Sequence, residues 1–374
     1  MHGVKRLFGW MIPRFDATRY RVSLVSLRKR DLSEETLESL GVDITYLAKG
    51  KFDPTTLGAL LRVIDEKKID ILHLHGYGAT TFGRVAAALR GLPVVLHEHA
   101  NLTSTPWFQK VADMCLERFT DIAIAVSEST AEFVVQARRV RPSRVKVVYL
   151  GAPLDEFGRE RTPDEVASAR ADLGIAPGDF AIGSVTRLHD SKGNSYLVDA
   201  ARLVVDARPD AKFLVFGEGP LLEGLQSQAA ALGLGDRFVF GGFQKDVARV
   251  LSAFDLSVFP SLWEGTPLTL FEALAAGRPI VATDADGLLD VLTDGHDALI
   301  VQKRNAPALA ERMLVLMNNP ALREQLAAQG RVTARDYDIS AFVRKMERLY
   351  DLLQAKSRAT KRGVVDTEDL SFLE

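Results

Sequence analysis

Two carboxylates, Glu264 and Glu272, stand eight positions apart in the stretch WEGTPLTLFEALAAG, residues 263 to 277. From Leu268 onward the stretch reads as an apolar helix. Pro267 leads it, in a first turn where its missing N–H costs nothing. Glu264 falls in the loop before that helix, where the N-terminal dipole favours an acid. Glu272 falls inside it, on a face that is otherwise apolar, and a carboxylate there needs a partner. Ionised carboxylates only accept hydrogen bonds, which suits them to vicinal hydroxyls. Gly265 lets backbone approach a ligand closely.

Cations and glycines stand beside other strand-like runs. Arg187 follows FAIGSVT, and Lys192 comes five residues later, ahead of Gly193. The Gly-rich turn GEGP, Gly217 to Pro220, follows FLVF. Two cations, Gly-rich turns and a helix N-terminus make an anion site, because the first N–H groups of a helix lack internal partners. A nucleotide-sugar carries hydroxyl pairs on both sides of its diphosphate, so two carboxylates flanking an anion site could hold ribose and hexose. Singly, each residue has a bland reading: a helix-start acid, a satisfied buried acid, two surface cations. Their joint position at strand ends favours the functional one.

The elements that must position these groups alternate regularly. RVSLVSL, DITYL, DILHLH, PVVLHEH, DIAIAVS and VKVVYLG read as strands of a first half, and FAIGSVTRL, KFLVFGEG, RFVFGGF, DLSVFPS and PIVATDA as strands of a second. Helical patterns lie between them. Apolar strands alternating with helices imply an α/β fold whose parallel sheets are covered on both faces. The alternation pauses near residues 155–175. We therefore expect a first domain over 1–160, a second over 161–355 and a polar tail over 356–374, at least partly disordered. The two domains read as Rossmann-like, doubly wound sheets facing each other across a cleft, with ligands beyond the carboxyl ends of the strands.

Composition excludes several classes. No run is long and apolar enough to read as a membrane-spanning helix. The single cysteine, Cys115, permits no internal disulfide and fits a reducing cytoplasm; the helical pattern VADMCLERF makes it a core thiol. Net charge is −2 across 374 residues but is uneven. Residues 1–155 hold 22 Lys+Arg against 17 Asp+Glu, and the remainder 25 against 32. A basic first half suits an anionic membrane surface or substrate, or is simply a solvated surface. No nucleic-acid partner is expected.

SVTRLHDSKG, VFGEGP and FPSLWEGTPLTLFEALAAGRPIVATDADG together resemble the donor domain of glycosyltransferase family 4, retaining enzymes of the GT-B fold. The family's signature, Glu, seven residues, Glu, is matched by Glu264 and Glu272. The resemblance implies that Arg187 and Lys192 bind the donor diphosphate and stabilise the leaving group. It assigns Glu272 to the ribose hydroxyls and Glu264 to the transferred sugar. Gly217 and Gly219 would lie by the phosphates, and Gly242 and Phe243 by the base. Backbone at Gly265, Thr266 and Leu268 would touch sugar or phosphate. Many members read Gly-Phe-Gly-Leu where this chain reads Gly265-Thr266-Pro267-Leu268, which removes one donor. PVVLHEHA resembles the strand whose terminal histidine lines the active site; the match is His99, contacting the donor hexose, with His97 set on the opposite face.

The implied reaction is sugar transfer with retention and without a covalent carboxylate nucleophile. Neither a metal nor a tightly bound cofactor is expected; Asp284-x-Asp286 looks like a metal-binding DxD but reads as a structural turn. Family members open with a strand and a Gly-rich loop, and the resemblance begins here only at the helix that follows them, so the first sheet should show a gap or an unpaired inner edge. Partners would be a nucleotide-sugar, UDP preferred to GDP, and a glycan or lipid-linked acceptor of cell-surface polysaccharide synthesis. The compartment would be the cytoplasm, with peripheral attachment at the inner membrane face. Competing readings are an epimerase or phosphorylase of the same build and a non-catalytic member.

Overall fold

The computed structural model describes residues 3–30, 35–50, 53–99, 106–359 and 367–373. The chain forms two compact units, a first of Met1–Leu150 with Ile339–Glu374 and a second of Gly151–Asp338. The second unit contains six parallel strands: β7 (Phe180–Val185), β8 (Ala211–Phe216), β9 (Phe238–Gly242), β10 (Leu256–Phe259), β11 (Ile280–Thr283) and β12 (Leu299–Val301). They lie in the order β12-β11-β10-β7-β8-β9. β10 and β11 are wholly buried, as a parallel sheet covered on both faces requires. Phe213, Val215, Leu197, Val204, Met313 and Leu316 join one continuous core that ties this sheet to helices Asn194–Ala207 and Ala306–Asn318.

The first unit holds two separate parallel sheets. One pairs β1 (Ser23–Ser26) with β2 (Asp43–Tyr46); the other orders β3 (Leu72–His75), β4 (Val94–Glu98), β5 (Ile122–Ala125) and β6 (Val145–Val147) in sequence. Among the described residues, β1 and β3 each pair on one side only, which matches the expected unpaired inner edge. A cavity of about 780 Å³ lies between them, bordered by Val22 to Val25 of one edge and Ile71 to Leu74 of the other, with Leu60 and Ile64 beneath.

The sequence-based boundaries need one correction. Residues 339–355 belong with the first unit. Helix Ile339–Ala359 buries Phe342, Val343, Met346, Leu349 and Leu353, and the Tyr350 ring stacks on Phe15 at 5.8 Å. The Tyr350 hydroxyl lies 2.5 Å from His73 Nδ1. The tail is partly ordered: Thr367–Leu373 forms a 3₁₀ turn, Leu370 and Leu373 are buried, and Lys345 Nζ donates to the Leu373 carbonyl at 2.9 Å. Residues 360–366 of the expected tail lie outside those described.

Cys115 is exposed, not a core thiol. Its helix, Trp107–Leu116, faces inward with polar residues: Gln109 and Asp113 are buried. Asp113 pairs with Arg84, and its second oxygen accepts from Arg138 at 3.1 Å. Arg138 in turn reaches Glu98 at 2.9 Å. Removing one member of a buried ion network leaves an uncompensated charge, a loss of about 3–5 kcal/mol. Asp113→Ala should therefore lower the melting temperature of the first unit by roughly 10 °C, read by calorimetry.

Candidate active site

In the second unit β7 lies between β8 and β10, so the strand order reverses between β7 and β10. Ligands of open parallel sheets bind at such a switch point, beyond the carboxyl ends. The loops after these two strands are strapped together. The Ser191 carbonyl accepts from the Leu262 N–H at 2.8 Å. Gly193 has φ +59°, and a Cβ there would meet the Pro260 carbonyl oxygen at 2.0 Å. Lys192 consequently reaches Glu264 and forms an ion pair with it, both largely buried. The Ser261 hydroxyl donates to the same Glu264 oxygen at 2.6 Å.

Neighbouring loops extend this floor. A Cβ at Gly217, φ +136°, would meet the Thr186 carbonyl oxygen at 1.8 Å, and one at Gly219 the Leu188 oxygen at 2.1 Å. The Gly217 N–H donates to the Gly242 carbonyl at 2.8 Å, joining the loop after β8 to the end of β9. These glycines thus have a packing reason of their own. Arg187 is exposed, Gly242 has φ +66° with open space at its Cβ, and the neighbouring Phe243 is half-exposed. On the other side the Gly265 carbonyl oxygen lies where a Gly287 Cβ would be. Gly265, Thr266 and Leu268 are buried, and Pro267 sits one position before the helix Leu268–Ala275, at its N-cap. Glu272 is fully buried among Leu270, Phe271, Ala273 and Leu274. Asp284 accepts from the Lys303 N–H at 2.7 Å and Asp286 faces Lys303 Nζ at 3.9 Å, so the Asp-x-Asp turn is engaged by its own neighbour.

The first unit places His99 just past β4, within a ladder of four imidazoles. His97 and His99 stack at 4.2 Å, against the expectation of opposite faces: side chains two apart on a strand return to the same side. His75 Nδ1 lies 2.8 Å from His99 Nε2, and His73 Nε2 lies 3.1 Å from His97 Nδ1. Burial pushes the His99 pKa down to about 4 and His73 to about 3, and pulls His75 and His97 well below the usual value. All four are neutral at pH 7, fit for uncharged hydrogen bonds. The ring nitrogens of His73, His75 and His97 lie within 4.8 Å of one another, a set that could ligate a metal, although two of the contacts among them and His99 are already imidazole–imidazole hydrogen bonds.

The model of the family described as Glycosyltransferase Family 4 matches residues 2–156, and that of Glycosyl transferases group 1 matches residues 166–333. The 2-deoxystreptamine glucosyltransferase of Streptomyces kanamyceticus is 30% identical over 270 residues, 67% of this chain and 69% of that protein. The chain belongs to this glycosyltransferase family. The UDP-Gal:alpha-D-GlcNAc-diphosphoundecaprenol alpha-1,3-galactosyltransferase of Escherichia coli is 25% identical over 280 residues, 72% of each chain. In fold, the glycosyltransferase matches the crystal structure of Anabaena Alr3699/HepE in complex with UDP and glucose, with TM-score 0.83 over 94% of this chain and 96% of that one at 21% identity. Its fold class is GT-B.

Sequence reasoning missed Ser261, which holds Glu264, and the partners His73 and His75. The repeated spacing in HLH and HEH on adjacent strands was the available signal for the ladder. The ladder has a pH consequence for the glycosyltransferase. Each imidazole titrates near 6.5 in the unfolded chain and lower when folded, so the unfolded state binds more protons below that value. The stabilising contribution is therefore present above pH 6.5 and is lost as pH falls toward about 4. Three of the four keep some solvent contact, so the loss between pH 7 and 5.5 should be on the order of 2–4 kcal/mol. Urea unfolding at the two pH values, followed by fluorescence, should show it, and His97→Asn should flatten the dependence.

Proposed function

We propose that this glycosyltransferase moves a sugar from UDP-sugar to a lipid-linked acceptor in cell-surface polysaccharide synthesis, retaining the anomeric configuration. The observation that carries the reading is the Lys192–Glu264 pair at the switch point of the second sheet. A diphosphate entering there would exchange one of the ammonium's anionic partners for another. Freed from that pairing, Glu264 would present acceptor oxygens to hydroxyls of the transferred sugar. Arg187, exposed on the same loop, would close on the phosphates from outside. Glu272 would take the ribose hydroxyls from within the helix. For His99 we keep the proposal that the resemblance implies, a neutral hydrogen-bond partner of the donor hexose.

In this mechanism the bond from the anomeric carbon to the diphosphate oxygen breaks, and negative charge develops on the departing UDP. Lys192 and Arg187 stabilise that charge. The acceptor hydroxyl attacks from the face the phosphate leaves, and a donor phosphate oxygen takes its proton, so no carboxylate need serve as nucleophile. Orientation of the two substrates supplies most of the remaining catalysis. Cationic side chains fill the role a metal ion has elsewhere, which makes the proposed reaction metal-independent.

The choice of UDP is supported by the relative named for UDP-Gal and by the fold neighbour solved with UDP-glucose. A lipid-linked acceptor is supported by relatives named for diphosphoundecaprenol and phosphatidyl-myo-inositol substrates, and by the basic first half of the chain. A peripheral position at the inner face of a membrane follows from the same reading. Among the described residues no helix is long and apolar enough to cross one.

Calorimetric titration with UDP, GDP and ADP tests the donor site. UDP should bind most tightly, and Glu272→Ala should weaken it about 10- to 100-fold, the effect of losing charge-assisted hydrogen bonds. Equal binding of all three nucleotides, or binding indifferent to Glu272, would overturn the assignment. Lys192→Ala should lower the rate of transfer about 10²- to 10³-fold, as loss of a donor to a developing oxyanion does. Rates are read as UDP released in the presence of acceptor glycolipid.

A further inference from the structure

The helix Trp107–Leu116 is inverted. Its inward side carries Gln109 and Asp113, 3% and 0% exposed, while Trp107, Val111 and Met114 face solvent at 77%, 47% and 61%. Cys115 is exposed beside them. At 100° per residue these positions form one stripe, with Arg118 of the following turn in line. Phe108 of the same helix is also exposed, whereas the other large exposed apolar side chains among the described residues, such as Leu40, Leu89, Leu203 and Leu289, are scattered over separate elements. Single exposed apolar residues are ordinary, but a contiguous stripe on one helix marks an interaction surface.

The exposed charges that this segment puts along the stripe have one sign. Lys110 flanks it and Arg118 ends it, both exposed. The acids of the same segment are turned away. Asp113 is buried in its ion network, and Glu117 is 12% exposed and faces Arg141 at 3.2 Å. Apolar side chains on an outward helix face, an aromatic residue with a polar N–H at one end and cations at the margins fit the boundary between lipid headgroups and acyl chains. Indole rings prefer that depth, and each nearby cation adds attraction to anionic headgroups.

We propose that the outward face of Trp107–Leu116 lies in an anionic lipid surface and holds the first unit there. The inference rests on the lipid-linked acceptor reading and deepens it by naming the surface that meets the membrane. Trp107 and Met114 insert among the acyl chains, and Lys110 and Arg118 meet the phosphates.

The test is sedimentation of the full chain with phosphatidylcholine vesicles, with and without phosphatidylglycerol, in the absence of donor and acceptor. UDP affinity is measured on the same samples, so failure of the donor-site reading registers separately. Binding should require phosphatidylglycerol. Trp107→Ser/Met114→Ser should lower partitioning at least about ten-fold, and Lys110→Glu/Arg118→Glu should abolish the preference for the anionic lipid. Both variants change exposed positions, so melting temperature and UDP affinity should match the parent. Absence of vesicle binding by the parent, or undiminished binding by the serine variant, would overturn the proposal. So would a concentration-dependent dimer of the parent, in light scattering, that the serine variant abolishes; that result would make the stripe a contact between copies.

Discussion

Gly193 sets how closely two strand-end loops can approach, and the arrangement of charged groups in the second unit follows from that distance. Its backbone adopts φ +59° against the Pro260 carbonyl, where any side chain would collide. The close approach lets Ser191 and Leu262 share a backbone hydrogen bond and puts Lys192 on Glu264. Glycine costs entropy on folding, and the paired backbone groups offset that cost. Gly217 against Thr186 and Gly287 against Gly265 repeat the device on either side. Backbone packed on backbone leaves little room for side chains beneath.

The parallel sheet explains why so many of these groups gather at one edge. All strands of the second unit end on the same side, and the order reverses between β7 and β10, the two strands whose loops are strapped together. Helix Leu268–Ala275 follows directly from β10's loop and buries seven of its eight residues, Glu272 among them. A carboxylate in so apolar a setting is costly unless charge or hydrogen bonds compensate it. Its burial in a helix whose other buried residues are apolar is what sets Glu272 apart from the other acids of the second unit.

Parts of this were legible in the sequence for physical reasons. Strands covered on both faces are unbroken apolar runs, so Ile122–Ala125 and Ile280–Thr283 announce themselves. Other features depend on residues far apart in sequence. Helix Ile339–Ala359 has an apolar stripe, but its sequence does not say which unit covers it. Cys115 lies in a helical pattern that looks ordinary, and which side faces inward is decided by Arg84 and Arg138, 29 and 25 positions from Asp113. The His97 error was one of geometry and not of information, since a period of two returns His97 and His99 to one face.

The inverted helix raises a question of energy that the ion network answers. By burial alone, Trp107–Leu116 should roll until Trp107 and Met114 lie inward and Gln109 and Asp113 face water. Two buried guanidiniums prevent that rotation. Arg84 and Arg138 are each at most 1% exposed, and without Asp113 only Glu98, among the described residues, would remain to balance them. Rolling the helix would remove that anion and strand a charge, a penalty comparable to burying a large apolar side chain. A network of this kind adds little net stability over a hydrophobic replacement. Its effect is directional: it fixes which face points out. The apolar stripe therefore persists at the surface because the interior beneath it has been made too polar to receive it.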